Sequence, residues 1–297
     1  MQLDNLRIDT INLSLNRYKK LSVHVLRLDL IHPVISGNKW FKLQPYLTEA
    51  KQQNKKAILT FGGAFSNHII ATAAACKLIG LKSIGIIRGE KPQKLSITLS
   101  EALHYGMQLF FISRQAYKSN HIPEEVFTTF NPQDIYVINE GGYGVKGMEG
   151  ASTILKKMDT STYTHICAAV GTGTMLAGLV ASTRTWQQVI GISVLKNNLQ
   201  VGEKIQQLLS AKSNNFFIMH QYHFGGYAKY NQQLIAFMNE WFEQTEIPSD
   251  FVYTGKVFFA INNLIHSGYF SSDSNIIIIH SGGLQGNRSL PKGTLIF

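Results

Sequence analysis

Ser36-Gly37-Asn38-Lys39 places one lysine on a glycine turn, just after an apolar, strand-like run. A lysine so placed can hold an aldehyde as an imine, because its amine rides on a fixed backbone and its stem packs among apolar neighbours. A Gly-Asn pair is also an ordinary turn, so the lysine takes its meaning from the other turns of the chain. Gly62-Gly63-Ala64-Phe65-Ser66-Asn67-His68 follows a strand-like run and opens a helical one. Glycines let the backbone turn tightly there, and the exposed amides of the next helix attract an anion. Ser66 reads either as a plain N-cap or as a ligand of that anion, and His68 either as a structural histidine or as a base.

Gly171-Thr172-Gly173-Thr174 stands at a second strand-to-helix turn, ahead of Met175-Leu176-Ala177-Gly178. Its amides and hydroxyls suit a phosphate. A dinucleotide site built on Gly171, Gly173 and Gly178 would need an acidic residue about twenty positions on, at the end of the next strand. Ile190 to Leu195 holds none, so a single phosphate is expected. His280-Ser281-Gly282-Gly283 closes the last strand with small residues. Tyr253-Thr254-Gly255-Lys256 precedes a helix expected from near Val257, with Thr254 as a candidate N-cap. Tyr222, His223, Tyr227 and Tyr230 form an aromatic segment around Gly225-Gly226. His220 and His223 have no cysteine or carboxylate beside them, so no metal site is expected.

The elements that must carry these turns are short β-branched runs alternating with helical patterns. Ala57 to Phe61, Ser83 to Ile87, Gln108 to Ile112, Ile135 to Ile138, His165 to Val170, Val189 to Val194, Phe216 to Met219 and Ile276 to His280 read as buried strands. Asn67 to Leu78, Lys94 to Tyr105 and Met175 to Ser182 read as helices between them. Such alternation means an α/β fold, a mainly parallel sheet with helices on both faces, whose ligands sit at the carboxyl ends of strands. Boundaries between folding units are expected at loop crossings, one near Phe41 to Tyr46, where Pro45 interrupts, and one near Gly141 to Gly144.

At 297 residues the chain is long for one core and comfortable for two. A composition 44% hydrophobic and 15% charged argues against disorder. The formal charge of +10 is spread without a basic run longer than a pair, and no nucleic-acid motif accompanies it, so no nucleic-acid partner is expected. Cys76 and Cys167 lie in apolar stretches and read as buried free thiols of a cytoplasmic protein. The N-terminus lacks the apolar core of a secretory leader. Ser161 to Thr183 carries no Asp, Glu, Lys or Arg, but its glycine turn splits it into a strand and a helix, so no membrane span is expected.

Five such turns in this order resemble the pyridoxal-phosphate enzymes of the tryptophan-synthase-β fold type, and within them the 1-aminocyclopropane-1-carboxylate deaminase and D-cysteine desulfhydrase family. The resemblance runs from Arg27-Leu28-Asp29 to Ser281-Gly282-Gly283. It implies two open, mainly parallel twisted sheets with the active site between them. A large cofactor-binding domain would comprise 1–41 and 148–297, and a small one 42–147. It implies further that Lys39 holds pyridoxal 5'-phosphate as an imine, that Asn67 meets the cofactor's 3-hydroxyl, and that Gly171, Thr172, Gly173 and Thr174 bind its phosphate. Ser66 would bind the substrate carboxylate, and Tyr227 and Tyr253 match the family's two active-site tyrosines. The expected partners are a small amino-acid substrate and a second copy of the chain, as a homodimer.

Two positions depart from the ring-opening deaminases, which carry a glutamate where this chain has Thr254 and a leucine where it has Ser281. A carboxylate beside the pyridine nitrogen keeps it protonated and the ring a strong electron sink, whereas a hydroxyl supports a neutral nitrogen suited to β-elimination. The resemblance therefore implies D-cysteine desulfhydrase-like chemistry first and ring-opening deamination second, with a non-catalytic binder of phosphorylated metabolites as the remaining alternative. Leu26-Arg27-Leu28-Asp29 also lacks the acidic and basic pair usual before this aspartate.

Overall fold

A computed structural model of the chain describes residues 6–12 and 21–297. Residues 1–5, part of the segment judged free of a secretory leader, lie outside the described residues. In chain order the main elements are β1 (Ile8–Ile11), β2 (Ser22–Arg27), α1 (Asn38–Gln52), β3 (Ala57–Gly62), α2 (Asn67–Ile79), β4 (Lys82–Arg88), α3 (Ile97–His104) and β5 (Met107–Ile112). The short helices α4 (Arg114–Lys118) and α5 (Glu124–Thr129) lead to β6 (Ile135–Ile138) and α6 (Val145–Lys156). Then follow β7 (His165–Val170), α7 (Thr174–Ser182), β8 (Gln188–Ser193), α8 (Val201–Leu208), β9 (Phe216–Met219), α9 (Gln232–Thr245), α10 (Thr254–His266) and β10 (Asn275–His280).

The strands form two sheets, with order β1-β2-β10-β7-β8-β9 in one and β5-β4-β3-β6 in the other. Every pairing is parallel except that of the edge strand β1 with β2. The central strands show why. Ile276, Ile277, Ile278 and Ile279 of β10 and Ile166 to Val170 of β7 are buried throughout, as strands must be when helices cover both faces of a sheet. Each sheet thus presents one carboxyl edge. In the smaller sheet that edge carries Gly62, Arg88 and Ile138, and in the larger it carries Val170, Ser193 and His280. The stretch from Ser161 to Thr183 is split into β7 and α7, and no helix among the described residues is long and apolar enough to cross a membrane.

Three expectations need correction. Pro45 does not interrupt the chain but sits inside α1. A proline frees the carbonyl four residues back, here that of Phe41, and Gly150 of α6 backs onto that oxygen so closely that a Cβ would overlap it. The division points 41/42 and 147/148 accordingly fall within α1 and α6. The strand-like run before Ser36 ends at Arg27, and Leu28–Leu30 forms a 3-10 turn instead. Asp29 in that turn lacks no partner: Arg27 grips it through Nε (2.9 Å) and Nη2 (2.7 Å) while its Nη1 reaches Asp9 across β1 (2.8 Å). Last, α10 begins at Thr254 rather than near Val257, so Thr254 is not an N-cap.

Candidate active site

The two carboxyl edges face one cavity of about 250 Å³. Lys39 enters it from the first turn of α1, and its root is locked. Gly37 adopts φ 63°, and a Cβ there would overlap the Ser281 carbonyl oxygen, so only glycine lets the two turns meet. The amide of Asn38 donates to that oxygen (3.3 Å), and the amide of Gly283 to Ser36 Oγ (3.4 Å). Lys39 Nζ donates to Asn38 Oδ1 (2.7 Å) and lies 5.8 Å from the centre of the Tyr253 ring. Burial holds this amine down to about 8, partly offset by the negative charge of Asp250. An ammonium so destabilised yields a neutral, nucleophilic amine at mild pH.

Lys42, one helical turn further, was not singled out from the sequence. It is buried on the same cavity wall and makes no hydrogen bond or ion pair among the described residues. Burial, and then the charge of Lys39, push it well below the ordinary lysine range. His68 lies beside it. The Thr60 hydroxyl donates to Ile138 O (2.8 Å), so at Thr60 Oγ1 (2.9 Å) it is His68 Nε2 that must donate. That leaves Nδ1 as a bare acceptor, buried and without a partner. Burial and the two lysines keep this ring neutral. A buried cation and a buried acceptor without partners are costly unless a ligand supplies them.

The turn at Gly171, Thr172 and Gly173 also lines the cavity. Gly173 precedes α7 with φ 88° and offers no side-chain cap, so the first-turn amides of that helix remain free donors. Thr174 is fully buried behind them, its hydroxyl 3.1 Å from that of Thr172, and does not reach the cavity. Free amides and glycine at the helix start, with the Lys42 amine in the same cavity, make a site suited to an anion.

Ser66 is the N-cap of α2, its Oγ accepting from Ile69 N (3.4 Å), and it also lines the cavity. Asn67 is buried to one side, where its Oδ1 accepts from Gln285 Nε2 (3.0 Å), while its Nδ2 makes no hydrogen bond among the described residues. Tyr227 and Tyr253 meet edge to face at 6.2 Å on the cavity wall, and Tyr227 Oη donates to Phe65 O (3.2 Å). Burial pushes Tyr227 up to about 12 and Tyr253 well above the ordinary phenol, so both are neutral donors. Arg88 and Glu140 complete the wall from the ends of β4 and β6.

Ser281 lines the cavity, but Thr254 does not. The Thr254 hydroxyl donates to Asp250 Oδ2 (2.6 Å) and accepts from the amide of Asp250 (2.8 Å), in a closed ring with no exposed surface. Asp250 is the residue that caps α10. Its Oδ1 accepts from Val252 N (3.0 Å) and Tyr253 N (2.7 Å), and its Oδ2 also from Thr254 N (2.9 Å). An acidic residue just ahead of a helical pattern was the available signal for it. Lys42 had the three-residue spacing from Lys39 as its signal. Among the described residues no three His, Cys, Asp or Glu side chains gather to hold a metal.

Comparison with known proteins agrees with this geometry. A family model described as pyridoxal-phosphate dependent enzyme matches residues 9–282. A protein of Arabidopsis thaliana named bifunctional D-cysteine desulfhydrase/1-aminocyclopropane-1-carboxylate deaminase is 28% identical, over 88% of this chain and 72% of that one. A D-cysteine desulfhydrase of Serratia proteamaculans is 23% identical, over 91% and 88%. A solved structure described as an ACC deaminase homologue superposes with a TM-score of 0.78 at 25% identity, over 95% of this chain and 90% of that one.

Proposed function

Since this chain belongs to the family of pyridoxal-phosphate dependent enzymes, we propose that it is a lyase acting on a small amino acid with a leaving group on Cβ, D-cysteine first, releasing pyruvate, ammonia and sulfide. The carrying observation is the convergence on one cavity of Lys39, held to about 8, with the unpaired Lys42 and the uncapped start of α7. These residues fit the cofactor: Lys39 would hold its aldehyde, and Lys42 with the Gly171-to-Gly173 turn its phosphate. Ser281 would meet its ring nitrogen, and Asn67, which does not line the cavity, is assigned to the 3-hydroxyl on the resemblance alone. When bound, the cofactor supplies an electron sink for the carbanion at Cα.

The chain's own side chains handle carboxylate and protons. Ser66 Oγ, already capping Ile69 N, donates its proton to the substrate carboxylate at the start of α2, where the helix dipole favours an anion. Lys39 Nζ, kept largely neutral by burial, would take the Cα proton. Tyr227 or Tyr253, both neutral phenols, delivers a proton to the leaving sulfur. The ring-opening deaminase is the second reading, supported by the names of the Arabidopsis relative and the superposed structure. Desulfhydrase chemistry ranks first because Ser281, a hydroxyl, lines the cavity as the candidate for the ring nitrogen, while Thr254, at the position of the deaminases' glutamate, does not. The reading includes a homodimer, a large unit of 1–41 and 148–297 with a small one of 42–147, and a cytoplasmic setting for the buried free thiols Cys76 and Cys167.

The test is keto-acid release from D-cysteine, L-cysteine and 1-aminocyclopropane-1-carboxylate by the protein with cofactor bound. Pyruvate from D-cysteine is expected to dominate. A ring-opening rate above the desulfurating one would promote the second reading, and release from neither class would overturn both.

A further inference from the structure

Lys256 has no exposed surface, yet it does not line the cavity. A buried ammonium gives up several kcal/mol of hydration, on the order of what a well-packed methionine or leucine would not forfeit, so its partners must matter. Nζ donates to the carbonyls of His223 and Gly226, both at 2.8 Å. The segment it grips is backbone under strain: Phe224 (φ 50°), Gly225 (91°), Gly226 (116°) and Ala228 (52°) are all left-handed. The two that are not glycine hold a conformation that L side chains disfavour. Its internal ties are few. The amides of Gly226 and Lys229 close turns onto His223 O (2.9 Å) and Gly226 O (3.2 Å), and Gly225 N reaches His223 Nδ1 (2.9 Å).

The residue in the middle of this turn is Tyr227, whose hydroxyl crosses to Phe65 O beside the α2 helix start. Helix α10 carries Tyr253 at its start by backbone, and three residues later Lys256 reaches over to the turn. One rigid element therefore sets both rings of the edge-to-face pair. We propose that Lys256 is a positioning residue: its ammonium pins the strained 223–228 turn so that Tyr227 packs on Tyr253 and its hydroxyl reaches Phe65 O. This rests on the reading of Tyr227 as a proton donor in the reaction.

The experiment is a double-mutant cycle with the cofactor-loaded enzyme. Lys256→Met is expected to lower kcat/KM by about a hundredfold, most of it in kcat, because a misplacement on the order of 1 Å costs that much. Made on top of Tyr227→Phe, the same substitution is expected to change kcat/KM by less than about twofold, since Lys256 acts through Tyr227. Hydrogen exchange of amides 223–229 is expected to quicken at least about tenfold in Lys256→Met while α10 itself stays protected. Full additivity in the cycle, or unchanged exchange in the turn, would overturn the proposal. If Tyr227→Phe alone left turnover intact, the proton-donor reading would fall, and the exchange measurement would still decide the positioning role. Should Lys256→Met not fold, Lys256→Gln, which keeps a donor but loses the charge, carries the same cycle.

Discussion

Replacing Asp250 by asparagine changes one atom's chemistry and tests the capping geometry directly. Four donors converge on this carboxylate: Val252 N and Tyr253 N on Oδ1, Thr254 N and Thr254 Oγ1 on Oδ2. Burial raises the carboxyl above its ordinary range, and the Thr254 hydroxyl and the amides offset that only in part. An asparagine can keep one oxygen in place, but its amide nitrogen then points a donor at two donors. Whichever way it turns, two hydrogen bonds are lost and at least one buried amide is left unpaired. Bonds to a charged acceptor contribute about 1.5–3 kcal/mol each, so the loss is about 3–6 kcal/mol. That is a large share of a typical domain stability of about 5–15 kcal/mol. Urea unfolding of the cofactor-free protein should show a lower midpoint with an unchanged slope. The substitution also removes the charge that partly offsets the burial of Lys39, so the pH midpoint for cofactor loading should move below that of the wild type. A stability loss under about 1 kcal/mol, well short of two charge-assisted bonds, would refute this account of the α10 start.

Lys39→Ala should abolish the visible absorbance of bound cofactor and all turnover with the fold intact by circular dichroism; retained activity would end the cofactor assignment. Gly173→Leu must adopt φ 88° with its Cβ 2.8 Å from Ile205, and should weaken cofactor affinity by about two orders of magnitude or more in a fluorescence titration. Thr254→Glu would force a second carboxylate against Asp250 in a site with no exposed surface, so a thermal melt should show destabilisation rather than the kinetics a switch in substrate preference. Lys39 and Lys256 sit near 8 against an ordinary 10.5, so above about pH 8 the unfolded chain binds more protons than the folded one and stability rises with pH. Above about pH 9 that rise is opposed, because Cys76, pushed up to about 12, and Cys167 ionise only in the unfolded chain. Urea titrations of the cofactor-free protein should therefore show stability rising from about pH 8 to 9 and turning over only at higher pH, and a steady fall from pH 7 would contradict it.

What the sequence determined by itself was local in range. A β-branched run such as Ile276 to Ile279 reads as a buried strand, and the glycines at 37, 63, 171 and 173 mark turns through their immediate neighbours alone. The order of those turns was enough to carry the resemblance and, with it, the cofactor and both sheets. Long-range partners were out of reach. Pro45 stays helical because Gly150 shelters the carbonyl it frees. Arg27 and Asp29 pair through a bend in the chain that no period announces. Thr254 turns away from the cavity because Asp250 claims its hydroxyl, while Ser281, set on Gly37, stays within it. Lys42, His68 and Lys256 read as three ordinary polar residues until burial strips their water. Only the tertiary structure sets how much water each loses and which carbonyl or charge replaces it, and so decides which polar side chains are solvated surface and which are poised for chemistry.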